Sequence, residues 1–87
     1  MNHNFILFQE TVSASAQQLP SNQIFNNVIL AAKSTNTGVV YIGNSSAVSS
    51  TNGFPLEKGT SVSIKVDNLN QIFFVGTAAD VFSVIGS

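Results

Sequence analysis

The chain has very little charge. Asp, Glu, Lys and Arg make up 8% of its 87 residues, against about 25% in typical soluble domains. There are three lysines and no arginine, and the net charge is −1. No face can gather the several cations that phosphate neutralisation needs, so nucleic acid is not an expected partner. Cysteine is absent, which removes disulfides and thiolate sites. A single histidine, His3, stands near the start, where a solvated role is expected. No apolar run approaches the roughly 18 residues of a membrane span, and no basic-then-apolar leader is present, so no membrane contact is expected.

These shortages also exclude most chemistry. Serines are plentiful, but a serine nucleophile needs a base beside it, and His3 lies in the terminal segment. Gly43-Asn44-Ser45-Ser46-Ala47 begins like a nucleophile elbow and ends on alanine where glycine is required. The four carboxylates, Glu10, Glu57, Asp67 and Asp80, fall at expected turns or strand ends and are read as turn-forming or solvated. No Asp-x-Asp-x-Asp spacing supports calcium. Tyr41 and the phenylalanines are not interleaved with basic residues and are read as core. The expectation is a protein with no enzyme activity, no cofactor and no metal.

What remains is Ser, Thr, Asn and Gln, with 44% hydrophobic residues. Ser, Thr and Asn compete for backbone hydrogen bonds and suit strands and turns better than helices. Apolar stretches recur with turn signals roughly every ten residues, which marks an all-β fold. Strands are expected at Phe5 to Val12, Phe25 to Lys33, Val39 to Ile42, Thr60 to Val66, Gln71 to Val75 and Val81 to Ile85. The expected architecture is one domain over 1–87: an antiparallel β-sandwich, jelly-roll-like, or a small barrel, of six to eight short strands.

The clearest punctuation is Asn52-Gly53-Phe54-Pro55-Leu56-Glu57-Lys58-Gly59. Asn52-Gly53 and Glu57-Lys58-Gly59 read as two turns, with positive φ expected at their glycines. Phe54 and Leu56 between them are expected to plug the core and to set the register of the strand that follows. That strand alternates, with Val62, Ile64 and Val66 on one side and Ser61, Ser63 and Lys65 on the other. Gly38 is expected to close a hairpin at positive φ, joining Phe25–Lys33 to Val39–Ile42 as partner strands with both faces of the first buried. Gly38, Asn52, Gly53 and Gly59 are thus the structural turn residues.

Edge strands are usually blunted with lysine, proline or inward charge, and this chain has few of these. A partner chain is therefore expected to cover its edges, with a self-contained monomer as the alternative. Residues 1–8 are the candidate contact, as an arm or as an edge strand. Phe5, Ile6, Leu7 and Phe8 are consecutive apolar residues that would be buried on both faces or against a neighbouring subunit.

Several stretches, taken in order, resemble a known group. Leu19-Pro20-Ser21-Asn22, Asn36 to Gly43, Asn52 to Ser61 and Val66 to Ile72 together resemble small structural proteins of tailed bacteriophages, akin to capsid decoration (cement) proteins or fibre-associated β-sandwich modules. The resemblance runs from about Val12 to Gly86 and rests on turn and strand residues. It implies a virion protein made in the host cytoplasm, a homo-oligomer and most simply a trimer, bound without covalent links to the major capsid protein or another virion protein. The alternative expectation is a fibre or spike module that binds a host receptor or glycan through the Asn- and Ser-rich loop from Asn44 to Asn52, whose amides and hydroxyls can hydrogen-bond sugars, although the sequence lacks the exposed Trp or Tyr pair that sugar stacking usually wants. The resemblance supplies no catalytic residues.

Overall fold

A computed structural model describes residues 5–87. The strands are β1 (Ile6–Thr11), β2 (Gln17–Gln18), β3 (Val28–Ala32), β4 (Val40–Gly43), β5 (Phe54–Leu56), β6 (Ser61–Ile64), β7 (Phe73–Gly76) and β8 (Val81–Gly86). A single 3-10 turn, Leu69–Gln71, precedes β7. It is capped reciprocally by Asn68 and Gln71, each side chain taking a backbone N–H of the other's end.

The strands form two antiparallel sheets of four, in the orders β1-β8-β3-β6 and β2-β7-β4-β5. This is a sandwich with jelly-roll strand order and not a barrel, because among the described residues no strand of one sheet pairs with a strand of the other. Successive side chains of a strand point to opposite faces, and the apolar half of each pattern faces the gap between the sheets. Val28, Leu30, Phe82 and Val84 enter from the first sheet, and Val40, Ile42, Leu56 and Phe74 from the second. Phe74 and Phe82 meet edge to face across the gap, with ring centroids 4.9 Å apart. Each such burial contributes roughly 1.5–3 kcal/mol. Val12, Leu19, Ile24, Leu69 and Ile72 close the core from the connecting segments.

Six expectations are corrected by this arrangement. Phe25–Lys33 and Val39–Ile42 are not hairpin partners. β3 belongs to the first sheet, between β8 and β6, and β4 to the second, between β7 and β5. The segment between them crosses from sheet to sheet, and Gly38 does not have positive φ. It is required for space, because a Cβ there would lie 2.1 Å from Thr77 Oγ1. β3 also buries only one face: Val28, Leu30 and Ala32 point inward, while Ile29 on the outer face is 40% exposed.

Phe54 is not a core plug. It is 52% exposed, whereas Leu56 is buried as expected. Nor do these two residues set the register of β6, which pairs with β3 (Val28 opposite Ile64, Leu30 opposite Val62) in the other sheet. Gly53 lacks positive φ as well. It is tight against Tyr41, whose Cβ would be 2.7 Å from an added Cβ. Gly59 alone among the glycines has the expected left-handed backbone, with φ +77°. Its N–H bonds the Ala32 carbonyl at 3.0 Å, which ties the β5–β6 turn to the end of β3.

Candidate functional site: the open sheet edges

Among the described residues the fold leaves four strand edges without partners: β1 and β6 in the first sheet, β2 and β5 in the second. They are not equivalent. β2 has two residues and β5 three, one of them Pro55, which has no N–H to donate. β1 has six residues and β6 four, neither with proline. The first sheet therefore carries the longer ladders of unpaired backbone groups.

The N-terminal apolar run is placed on one of these edges. Phe5 precedes β1, and Ile6, Leu7 and Phe8 lie in it, in register with Gly86, Ile85 and Val84 of β8. Ile6 and Phe8 turn inward and pack partly on the core, whereas Phe5 and Leu7 point outward and are 65% and 59% exposed. The run is an edge strand with one half-covered face, not a stretch buried on both faces within the chain. The expected roles of His3 and the first residues fall outside the described residues.

Glu10 continues the inward-facing row of β1 after Ile6 and Phe8. Partial burial pushes its carboxyl above the ordinary glutamate value. An inward charge on an edge strand is a known brake on edge-to-edge pairing, and it is the one ionisable group in that row.

At the opposite end of the first sheet, β6 turns Val62 and Ile64 inward, and both are half-buried. Here the sandwich is open. An apolar groove of about 340 Å³ runs between β6 and the second sheet, with Ile42, Phe54, Val62, Ile64 and Ile72 on its walls. Phe54 is exposed because it lies over this opening, at the start of the short edge strand β5. Sequence reading found the alternation of β6 but not the groove, since no local signal says which strand ends at an edge.

The turn residues are brought into two clusters. Asp80, expected to be solvated or turn-forming, is a buried turn former: its Oδ1 accepts from the Thr37 N–H at 3.0 Å and its Oδ2 from the Gly38 N–H at 2.9 Å. The Thr37 N–H foremost, with the Gly38 N–H and the Thr37 hydroxyl, holds its carboxyl below the usual aspartate value against the opposing effect of burial. Asn36, also buried, exchanges two hydrogen bonds with the backbone of Val81, each 2.9 Å long. The second cluster is the β4–β5 loop. Asn52 Oδ1 accepts from the Ser49 N–H at 2.8 Å, its Nδ2 donates to the Ala47 carbonyl at 3.1 Å, and the Gly53 N–H reaches the Ser49 carbonyl at 2.8 Å.

Among the described residues no three His, Asp or Glu side chains come together as metal ligands. No protein-family model matches the chain, and neither does any curated protein. The fold itself is similar to a solved structure from Bacillus, of endospore appendages described as "a novel family of disulfide-linked pili". The TM-score is 0.60 at 19% identity, over 97% of this chain and 85% of that one. At that identity the likeness is one of fold.

Proposed function

We propose that this protein is a non-catalytic structural subunit whose copies associate through the free edges of the first sheet. The observation that carries the reading is the pair of edges β1 and β6. Each combines an unpaired backbone ladder with half-buried apolar side chains on its inward face, Ile6 and Phe8 on one, Val62 and Ile64 on the other. Direction supports it further. Neighbouring strands of the sheet are all antiparallel, so in a row of four the first and last run oppositely. A second copy set beside β6 in the same orientation presents its β1 antiparallel to it, as a sheet ladder requires. Such a head-to-tail contact closes into a ring or continues as a filament, according to the rotation between copies.

The fold shared with a pilus protein is consistent with an assembly role. That neighbour's pili are disulfide-linked, whereas the 87 residues here contain no cysteine. Cohesion between copies of this chain would then rest on backbone hydrogen bonds and apolar burial. Capsid decoration, the role implied by the bacteriophage resemblance, is a narrower form of the same proposal: a closed oligomer, with a trimer the simplest, docked on the major capsid protein of a virion.

Sedimentation velocity over a range of concentrations, with electron microscopy of the same samples, tests the proposal. Rings or filaments are expected, and Ile64→Lys should disperse them while the monomer stays folded by circular dichroism. A chain that remains monomeric at every concentration would sink the reading.

A further inference from the structure

The outer face of the second sheet carries a groove that the assembly role does not use. Its floor is Tyr41 and Val75, directly opposed on β4 and β7, the two central strands of that sheet. One wall is the β4–β5 loop, which folds back over the sheet instead of projecting from it. Val48 of this loop is buried on the outer face because β4 ends in glycine: a Cβ at Gly43 would fall 2.5 Å from Val48 Cγ2. Gly53 lets the loop close against Tyr41 in the same way. The loop is internally bonded through Asn52, so this wall is set before any ligand arrives. The amide of Asn52 uses one acceptor and one donor position on that bonding, and Asn52 does not line the groove.

The groove has a volume of about 560 Å³, within the roughly 300–1,000 Å³ of small-ligand sites, and among the described residues no charged side chain lines it. Its polar groups are hydroxyls. Those of Tyr41, Ser46, Ser50 and Thr77 are engaged in no hydrogen bond among the described residues. An aromatic and aliphatic floor beneath a rim of unused hydroxyls matches one ligand chemistry: a rigid ring with a C–H face and several neutral hydroxyls. An ionic ligand would find no counter-charge, and a purely apolar one would leave the rim hydroxyls without partners on desolvation.

We propose that this groove is a binding site for neutral carbohydrate, with the sugar's C–H face on the Tyr41 ring and its hydroxyls on Ser46, Ser50 and Thr77. The site is complete within one chain and lies away from the edges β1 and β6, so it needs no oligomer. One aromatic ring gives weak single-site affinity. An assembly that repeats the site would raise the apparent affinity by avidity.

The test is saturation-transfer NMR on the full chain with cellobiose, maltotriose and di-N-acetylchitobiose, each at about 10 mM, a concentration suited to millimolar affinity. Transfer to ring protons of at least one sugar is expected, with amide shifts at Tyr41, Ser50 and Thr77. Tyr41→Ala should weaken binding about tenfold or more, and Tyr41→Phe, which keeps the ring, should weaken it less. Ser50→Leu removes a rim hydroxyl from an exposed loop position and should also reduce binding; it decides the matter if Tyr41→Ala does not fold. Ile29→Ser, on the outer face of the other sheet, is the control and should bind normally. No transfer to any of the three sugars, or transfer indifferent to Ser50→Leu and to whichever Tyr41 variant folds, overturns the proposal.

Discussion

The carboxylate of Asp80 accepts the backbone N–H of Gly38 at 2.9 Å, although the two residues are 42 apart in the chain. This bond and its neighbours hold the β3–β4 crossover against the turn between β7 and β8. They satisfy polar groups that a sheet-to-sheet connection would otherwise bury unpaired. Asp80→Ala should lower the melting temperature measurably. Asp80→Asn, which keeps one acceptor, should lower it less. Equal melting temperatures for the wild type and Asp80→Ala would mean the crossover is held by other contacts.

The same carboxylate makes acid stability predictable. Its folded-state value lies below the ordinary 3.8, so the folded chain takes up this proton less readily than the unfolded one. The stabilisation is fully present above about pH 4 and is lost as pH falls through the lower folded value. Thermal melts at decreasing pH should show a drop below about pH 4 that is reduced in Asp80→Asn.

Glu10 acts with the opposite sign. Burial raises its value above 4.5, so the folded state favours the protonated form, and a contact that buries the β1 edge further would favour it more. Association between copies should therefore strengthen as pH falls from neutral toward the raised value. Glu10→Gln should associate more strongly than the wild type at neutral pH and lose that pH dependence. Sedimentation of both proteins at pH 7 and pH 5 decides; a wild type that dissociates on acidification contradicts the edge model.

Gly59 separates strain from crowding. An added Cβ has open space, its nearest neighbour being Ser34 Cβ at 3.8 Å, but φ is +77°. Gly59→Val should cost about 1–2 kcal/mol or more through backbone strain, and Gly59→Asn clearly less, since asparagine visits this region more readily. Urea denaturation measures both. Equal losses would point to packing as the cause.

Gly38 is the reverse case. Its φ is ordinary, but a Cβ would crowd Thr77 Oγ1. Gly38→Ala should destabilise the chain, and Thr77→Ala in the same molecule should restore part of the loss. A double-mutant cycle in urea with no coupling energy would rule out this contact.

Much of the architecture is readable from local pattern, because the period of two is a property of the strand itself. The alternation of Val62 and Ile64 with Ser61 and Ser63, the strands near Ile6, Val40, Phe73 and Val81, the turn at Asn68 and the left-handed Gly59 all follow from neighbouring residues alone. The apolar run Phe5 to Phe8 is equally plain in the sequence as a strand, but the half-covered state of its outward residues Phe5 and Leu7 is visible only in the fold. Pairing is another matter. Asn36-Thr37-Gly38 looks like a hairpin turn locally, and only contact with Asp80 and Val81, more than forty residues away, makes it a crossover.

The candidate sites follow the same division. Phe54 and Leu56 are equivalent in the pattern, but one lies over the mouth of a groove and the other is buried under the opposite sheet. Val48 appears in the sequence as a lone apolar residue in a polar loop, and Tyr41 as a core residue of a central strand. Only the folded loop, admitted by glycines at 43 and 53, sets Val48 beside the outward-facing Tyr41 ring. Alternation along a strand determines which side chains share a face. Which face is covered, and by what, depends on the order of strands in a sheet, and that order is decided by contacts between residues distant in the chain.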